Sequence, residues 1–224
     1  MFEIILASKS KVRKEILDKN NISSKVVPSN VDEEIIKKGL LKENASPEII
    51  SKNLAELKAN KVSLKNNDIL VLGADSVIDL EGELISKPNN RSEALTILKK
   101  LNGKKHHLIS SVCISKNGNM IWNFTGKASL TMKSMTEKDL MNYLSKISDE
   151  ALYAYNVYQI EGEGKNLFSK QFSTKVTFLE TQTGWWNVPV NVNQTCAHFH
   201  LLQQSQKYLY QQQNLYHILL FHAL

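Results

Sequence analysis

Apolar positions along the chain recur with two periods, and the switches between them lay out an α/β order. Residues 2–7 form a compact apolar run that predicts a strand, followed at once by Ser8-Lys9-Ser10-Lys11. Val12, Ile16 and Leu17 then recur at helical spacing, which predicts a helix capped by Ser10. Residues 25–28 read as a second strand, with Val31-Asp32-Glu33-Glu34 on a loop after it. Ser46-Pro47 places a cap residue before a proline at the first helical position, opening a long amphipathic helix through Ile50, Leu54 and Leu57 to about Leu64. Asn90 or Ser92 opens another helix, which runs through Leu101 and ends at Gly103. Residues 107–115 and 120–131 predict two strands joined by a hairpin turn at Asn117-Gly118, and Thr136 caps a helix with Leu140, Tyr143, Leu144 and Ile147 on one face.

The stretch from Asp68 to Pro88 stands at the centre of this order. It predicts a buried strand over residues 69–72, a glycine break at Gly73, a lone carboxylate at Asp75 and a second apolar run over 77–80. A Glu81-Gly82 turn then leads to a short strand that stops at Lys87-Pro88. An acid at a strand end beside glycine, with a lysine returning on the next strand, suits a metal-dependent reaction on a phosphate. The competing reading is a turn or cap residue.

Composition narrows the class. A chain of 224 residues with 42% apolar positions can bury one substantial core, so one domain is expected. The net charge of +6 is spread among glutamates at helical spacing, which favours a solvated surface with an anionic ligand over a nucleic-acid binder. Cys113 and Cys196 form no CxxC pair, and no apolar run reaches membrane-spanning length; both point to a reduced, cytoplasmic protein.

Several segments carry candidate chemistry. The first helix begins with free backbone N–H groups and cationic Lys11, Arg13 and Lys14, and cations there oppose the helix dipole unless an anion joins them. Asp32, Glu33 and Glu34 read either as a solvated helix start or as oxygen ligands for a hard divalent cation. Lys58, flanked by Leu57 and Ala59, either snorkels from the core edge or points into a site. Adjacent His106 and His107 face opposite sides of a strand, which argues against a shared metal. Residues 153–168 are aromatic-rich and close on two glycines around Glu163; they read as packed tyrosines or as a base-binding wall, with Glu161 placed to accept hydrogen bonds from a base.

Together these segments resemble the Maf family of nucleoside triphosphate pyrophosphatases. The family opening, LASxSPRRxELL, is similar to Leu6-Ala7-Ser8-Lys9-Ser10-Lys11-Val12-Arg13-Lys14-Glu15-Ile16-Leu17. Val31-Asp32-Glu33, Leu54-Ala55-Glu56-Leu57-Lys58-Ala59, Gly73-Ala74-Asp75-Ser76 and Lys87-Pro88 follow in family order. Leu101-Asn102-Gly103 with His106, and Tyr158-Gln159-Ile160-Glu161-Gly162, complete the set, which runs to about Phe168.

The resemblance implies a Maf/ITPase-like mixed sheet with flanking helices, an α/β fold with two lobes around a cleft. It implies hydrolysis of a nucleoside triphosphate to the monophosphate and pyrophosphate, with Mg²⁺ or Mn²⁺. On it, Ser8, Arg13, Lys58 and Lys87 hold the triphosphate, Glu161 meets the base, and Glu33 and Asp75 serve the metal and the attacking water. Whether Asp75 is base, ligand or both stays open. Glu161 tilts toward 7-methyl-GTP, Ser76 toward dTTP or UTP, with a slight preference for the modified purine. The family suggests a homodimer; no membrane and no nucleic-acid polymer is expected.

Two departures bear on activity. Val12 stands where many members have the first of two arginines, leaving Arg13, with Lys11 as a helper. The composition also shifts after Lys170: residues 171–224 are Gln-rich, hold Trp185-Trp186 and lack the family's GLPL-type ending. Residues 1–170 are therefore expected to form the Maf-like domain, and 171–224 an atypical tail produced by a change of reading frame. Cys196, His198 and His200 in it fit no common zinc spacing. The alternative function is a catalytically impaired nucleotide-binding protein linked to cell division control.

Overall fold

The computed structural model describes residues 3–154, 156–158, 160, 162–169 and 173–177. A mixed sheet is assembled from β1 (Ile4–Leu6), β2 (Ser24–Val26), β3 (Val71–Leu80), β4 (Glu83–Ile85), β5 (Lys105–Lys116), β6 (Asn119–Thr131) and β7 (Ser173–Thr177), in the order β2-β1-β3-β5-β6-β7 with β4 also on β3. Strands β2, β1 and β3 run parallel, and the pairs from β3 through β7 are antiparallel. The helices are α1 (Lys11–Lys19), α2 (Glu33–Lys42), α3 (Pro47–Ser63), α4 (Arg91–Leu101), α5 (Glu137–Ser145) and α6 (Asp149–Ala154).

Two sequence expectations are corrected here. Residues 69–80 are not two runs broken at Gly73; β3 is continuous from Val71 to Leu80, and Asp75 sits mid-strand. Gly73 marks a close approach instead of a turn. A Cβ there would lie 2.2 Å from the Ala55 carbonyl oxygen and 2.7 Å from the Ala59 nitrogen, so α3 rides directly on the β3 backbone. The acidic segment, placed on a loop but also read as a solvated helix start, is the start of α2: Asp32 caps it by accepting from the Ile35 N–H, and Glu33 and Glu34 form the first turn. The Asn117-Gly118 turn does close the β5–β6 hairpin, with both residues at positive φ (53° and 81°).

The position of the cleft follows from the pairing of β3. On one edge β3 pairs with β1 at Val71 and Leu72, and with β4 from Ile78 to Leu80. Between them the edge is open, and Asp75 lies in that gap. On the face away from α3, Ala74, Ser76 and Ile78 alternate outward together. Ala74 belongs to an apolar cluster with Leu6, Leu17, Val112 and Phe124. Ile78 belongs to a second cluster with Leu98, Leu101, Leu130 and Leu140. The row between them is Ser76, Ser110 and Gly126, matched across three strands. Small polar residues here leave the two apolar clusters unjoined, and the space between is the floor of the cleft.

Candidate active site

The cleft has a volume of about 770 Å³ and is lined from both sides of the open β3 edge. Its charged end draws on α1 and the loop before it, α2, α3, β3 and the segment after β4. The loop before α1 brings Ser8 and the first turn of α1 brings Arg13: the Arg13 guanidinium donates to Ser8 Oγ at 3.1 Å and to the Ala74 carbonyl oxygen at 2.9 Å. That carbonyl belongs to the β3 edge, so Arg13 satisfies a backbone group left open where β1 ends. Ser10 caps α1 by accepting from the Arg13 N–H, and Ser8 Oγ accepts from the Ser10 N–H.

Helix α3 places Lys58 over β3. Its ammonium bridges Asp75 Oδ1 at 2.7 Å and Glu33 Oε1 at 2.8 Å. The bridge rests on the close packing at Gly73, because Ala55 and Ala59 bring the lysine down onto the strand. Lys58 is therefore an inward-pointing group, not a snorkelling one. Asp75 Oδ2 is buried and has no hydrogen-bond partner. Such an atom is costly, on the order of 1–3 kcal/mol, unless something supplies the missing partner.

The two carboxylates are driven apart in acidity. Burial dominates at Asp75 and raises its pKa against the opposing pull of Lys58 and Arg13. Glu33 is also pushed up by burial, but its side chain is one-third exposed, and Lys58, Lys37 and Lys87 together carry it below the ordinary carboxylate value. Lys87 is exposed at the cleft rim, yet the walls desolvate its ammonium enough to lower its pKa, with Glu33 opposing.

The chain matches the Maf-like protein family over residues 3–177. It belongs to that family. A nucleoside triphosphate pyrophosphatase of Pelagibacter ubique is 72% identical over 168 residues, covering 75% of this chain and 86% of its own. A 7-methyl-GTP pyrophosphatase of Rhizobium etli is 33% identical, covering 75% and 84%. Among solved structures, a HAM1 protein of Coxiella burnetii aligns at a TM-score of 0.38 and 15% identity over 59% of this chain and 73% of its own, a likeness too remote to bear on the site.

The family motifs converge. Ser8 and Arg13 from the opening motif, and Glu33, Lys58, Asp75 and Lys87 from four further segments, line this one cleft. Glu161 lies outside the described residues. So do residues 178–224, with Cys196, His198 and His200; within the segment assigned to the tail, β7 is described and pairs with β6 from Thr125 to Ser129. Among the described residues no helix is long and apolar enough to cross a membrane.

Three lining residues were missed in the sequence. Lys37 is buried on α2, one turn after Glu33, with its ammonium 3.6 Å from Glu34 and 4.0 Å from Glu33. The i to i+4 spacing from Glu33 was its only signal. Ser110 Oγ pairs with Ser76 Oγ at 3.0 Å in the floor; a serine inside a strand signals nothing by itself. Asn156 has a buried, unpartnered Oδ1. Of the aromatic run, the side chains of Tyr153 and Tyr155 lie outside the described residues, while Tyr158 lines the cleft and is 5% exposed, held by an edge-on contact with Phe168 and by a 2.9 Å hydrogen bond between its hydroxyl and His106 Nε2. His107 faces the other side of β5, toward Asp79.

Proposed function

We propose that this cleft hydrolyses a nucleoside triphosphate between its α- and β-phosphates, giving the monophosphate and pyrophosphate. The observation that carries the reading is the buried, unpartnered Asp75 Oδ2, set in a cleft where Lys58 fixes Asp75 against Glu33. In support, two relatives, 72% and 40% identical, carry the name of that activity.

Roles follow from the placement of charge. Four cations, Arg13, Lys37, Lys58 and Lys87, face two interior carboxylates, so the cleft carries a positive surplus suited to a polyphosphate. Arg13 and Ser8 offer donors at the start of α1, where the helix dipole adds to them. Lys58 has three N–H donors and spends two on Asp75 and Glu33, leaving the third for a phosphate oxygen. Lys87 and Lys37 add cationic charge to the same cleft and, in this reading, bind the triphosphate.

Asp75 is the proton acceptor in this account. Its raised pKa makes its carboxylate a stronger base than a surface aspartate, and Oδ2 is the oxygen left to receive a proton from water. As the water oxygen bonds to the α-phosphorus, its proton passes to Oδ2. The bond to the bridging oxygen breaks, and its electron pair leaves with pyrophosphate.

The donor set also fits a hard divalent cation. Asp75 Oδ2 and the second oxygen of Glu33 are oxygens not used by Lys58, and Mg²⁺ is commonly held by one or two carboxylates with substrate phosphates and water; with an ion on Oδ2, that oxygen would be a ligand and not the proton acceptor. Bound there, the ion would neutralise charge on phosphate oxygens and acidify water. The test is pyrophosphate release from dTTP, UTP, CTP, GTP and 7-methyl-GTP with Mg²⁺, for the native chain and Asp75→Asn. Release that vanishes in the variant is expected; release that persists, or none from a folded protein, overturns the reading.

A further inference from the structure

Of the four side-chain atoms that are buried without a partner among the described residues, two belong to residues lining the cleft: Asp75 Oδ2 and Asn156 Oδ1. The first is absorbed by the chemistry above. The second is not.

Asn156 follows α6 with φ at +61°, and only 8% of the residue is exposed. Asparagine tolerates that backbone region, so the conformation alone gives a reason for its presence. Burial argues for more. Glycine would adopt the same φ without strain and without placing a carboxamide where its oxygen meets no donor. A turn asparagine ordinarily turns its amide to nearby backbone or to water; this one is held against the cleft, beside Tyr158 and Ile160. Among the described residues that line the cleft with it, Ile160 and Leu108 are aliphatic, the Tyr158 hydroxyl is engaged by His106, and Ser76 and Ser110 bond each other.

We infer that Asn156 is a specificity-determining residue that reads the nucleobase, its buried oxygen accepting from an N–H on the base edge while its amide donates to the adjacent acceptor. This deepens the triphosphatase reading and rests on it. A carboxamide presents one acceptor and one donor side by side, which matches a base edge with a ring N–H next to a carbonyl, as in uracil, thymine or guanine.

The test uses the full chain with Asn156→Gly and Asn156→Asp. Glycine suits the backbone at +61°, so the first variant removes the carboxamide with its fold intact, checked by an unchanged or higher Tm. We measure kcat/KM for pyrophosphate release, and Kd by calorimetry, across the nucleotide panel and with ribose 5-triphosphate, which has no base. Asn156→Gly should lower kcat/KM for the preferred nucleotide roughly tenfold to hundredfold, and leave ribose 5-triphosphate within about twofold. Asn156→Asp should shift preference toward guanine, whose N1–H and N2 amino group offer two adjacent donors to a carboxylate, and away from uracil and thymine. Equal losses on every substrate, the abasic one included, or an unchanged base ranking in both variants, overturn the assignment. A native chain that binds nucleotides without releasing pyrophosphate would defeat the catalytic reading alone; the same Kd comparison would then decide on Asn156.

Discussion

At the charged end of the cleft, side chains are locked to one another, with Lys37, Lys58 and Asp75 buried among them: Arg13 to Ser8 and the β3 backbone, Lys58 to Asp75 and Glu33, Lys37 to Glu33 and Glu34. At the other end the lining is a hydroxyl pair, a carboxamide and aliphatic groups. The contrast has a physical cause. Charge removed from water must be paired, and a paired network is rigid, which suits the part of a substrate that never varies. Neutral polar groups cost less to rearrange, so the end built from them is where one base can be favoured over another. Each end keeps one buried atom unpartnered, Asp75 Oδ2 and Asn156 Oδ1.

The largest effect should come from the charged end. Asp75→Asn is expected to lower kcat roughly 10²–10⁴-fold, the range for loss of a positioned base, measured by pyrophosphate release. The same variant should be more stable than the native chain at neutral pH. Burial raises the Asp75 pKa, so the native fold holds its proton more tightly than the unfolded chain does. The stability this group contributes is complete below its unfolded pKa and lost as pH rises through the folded one. The gap between variant and native chain in urea unfolding should therefore open above the ordinary aspartate range and close below it. Glu33, whose pKa is lowered, has the opposite sign: its contribution is present above its unfolded value and lost as pH falls through the folded one.

Next in size, Lys58→Met would leave two carboxylates without their shared cation. We expect a loss of about 3 kcal/mol in unfolding free energy, at the low end for a broken buried pair because Glu33 is partly exposed, together with near-complete loss of turnover. Gly73→Ala should act on the same network without touching a charge. Its Cβ would push α3 outward, costing about 1–3 kcal/mol and lifting Lys58 from Asp75, so activity falls further than stability does. The smallest effect is expected from Lys37→Met, a severalfold rise in KM with kcat nearly kept. A larger effect on kcat than on KM would show that Lys37 acts on the transition state, and would blur the distinction between binding and reacting groups within the charged end.

The order of elements and the charged end were legible in the sequence because both leave local marks. Ser46-Pro47 and Thr136 are helix caps wherever they are read, and both cap helices here. Ser8, Arg13, Lys58, Asp75 and Lys87 sit in short motifs whose order survives in the chain. What failed did so for nonlocal reasons. Gly73 looked like a break because a glycine needed for the approach of α3 is identical in sequence to one needed for a turn. The start of α2 looked like a loop because its three acids precede a segment with few buried side chains and Gly39 within it. Asn156 and Ser110 carried no signal, since their significance lies in what the cleft leaves unpaired or small.

The central claim, attack at the α-phosphorus in this cleft, is tested most directly by hydrolysis in ¹⁸O-labelled water with mass analysis of both products. The account predicts one labelled oxygen in the nucleoside monophosphate and unlabelled pyrophosphate, with turnover in Asp75→Asn lowered roughly 10²–10⁴-fold. Label in pyrophosphate, or orthophosphate as the first product, would contradict it.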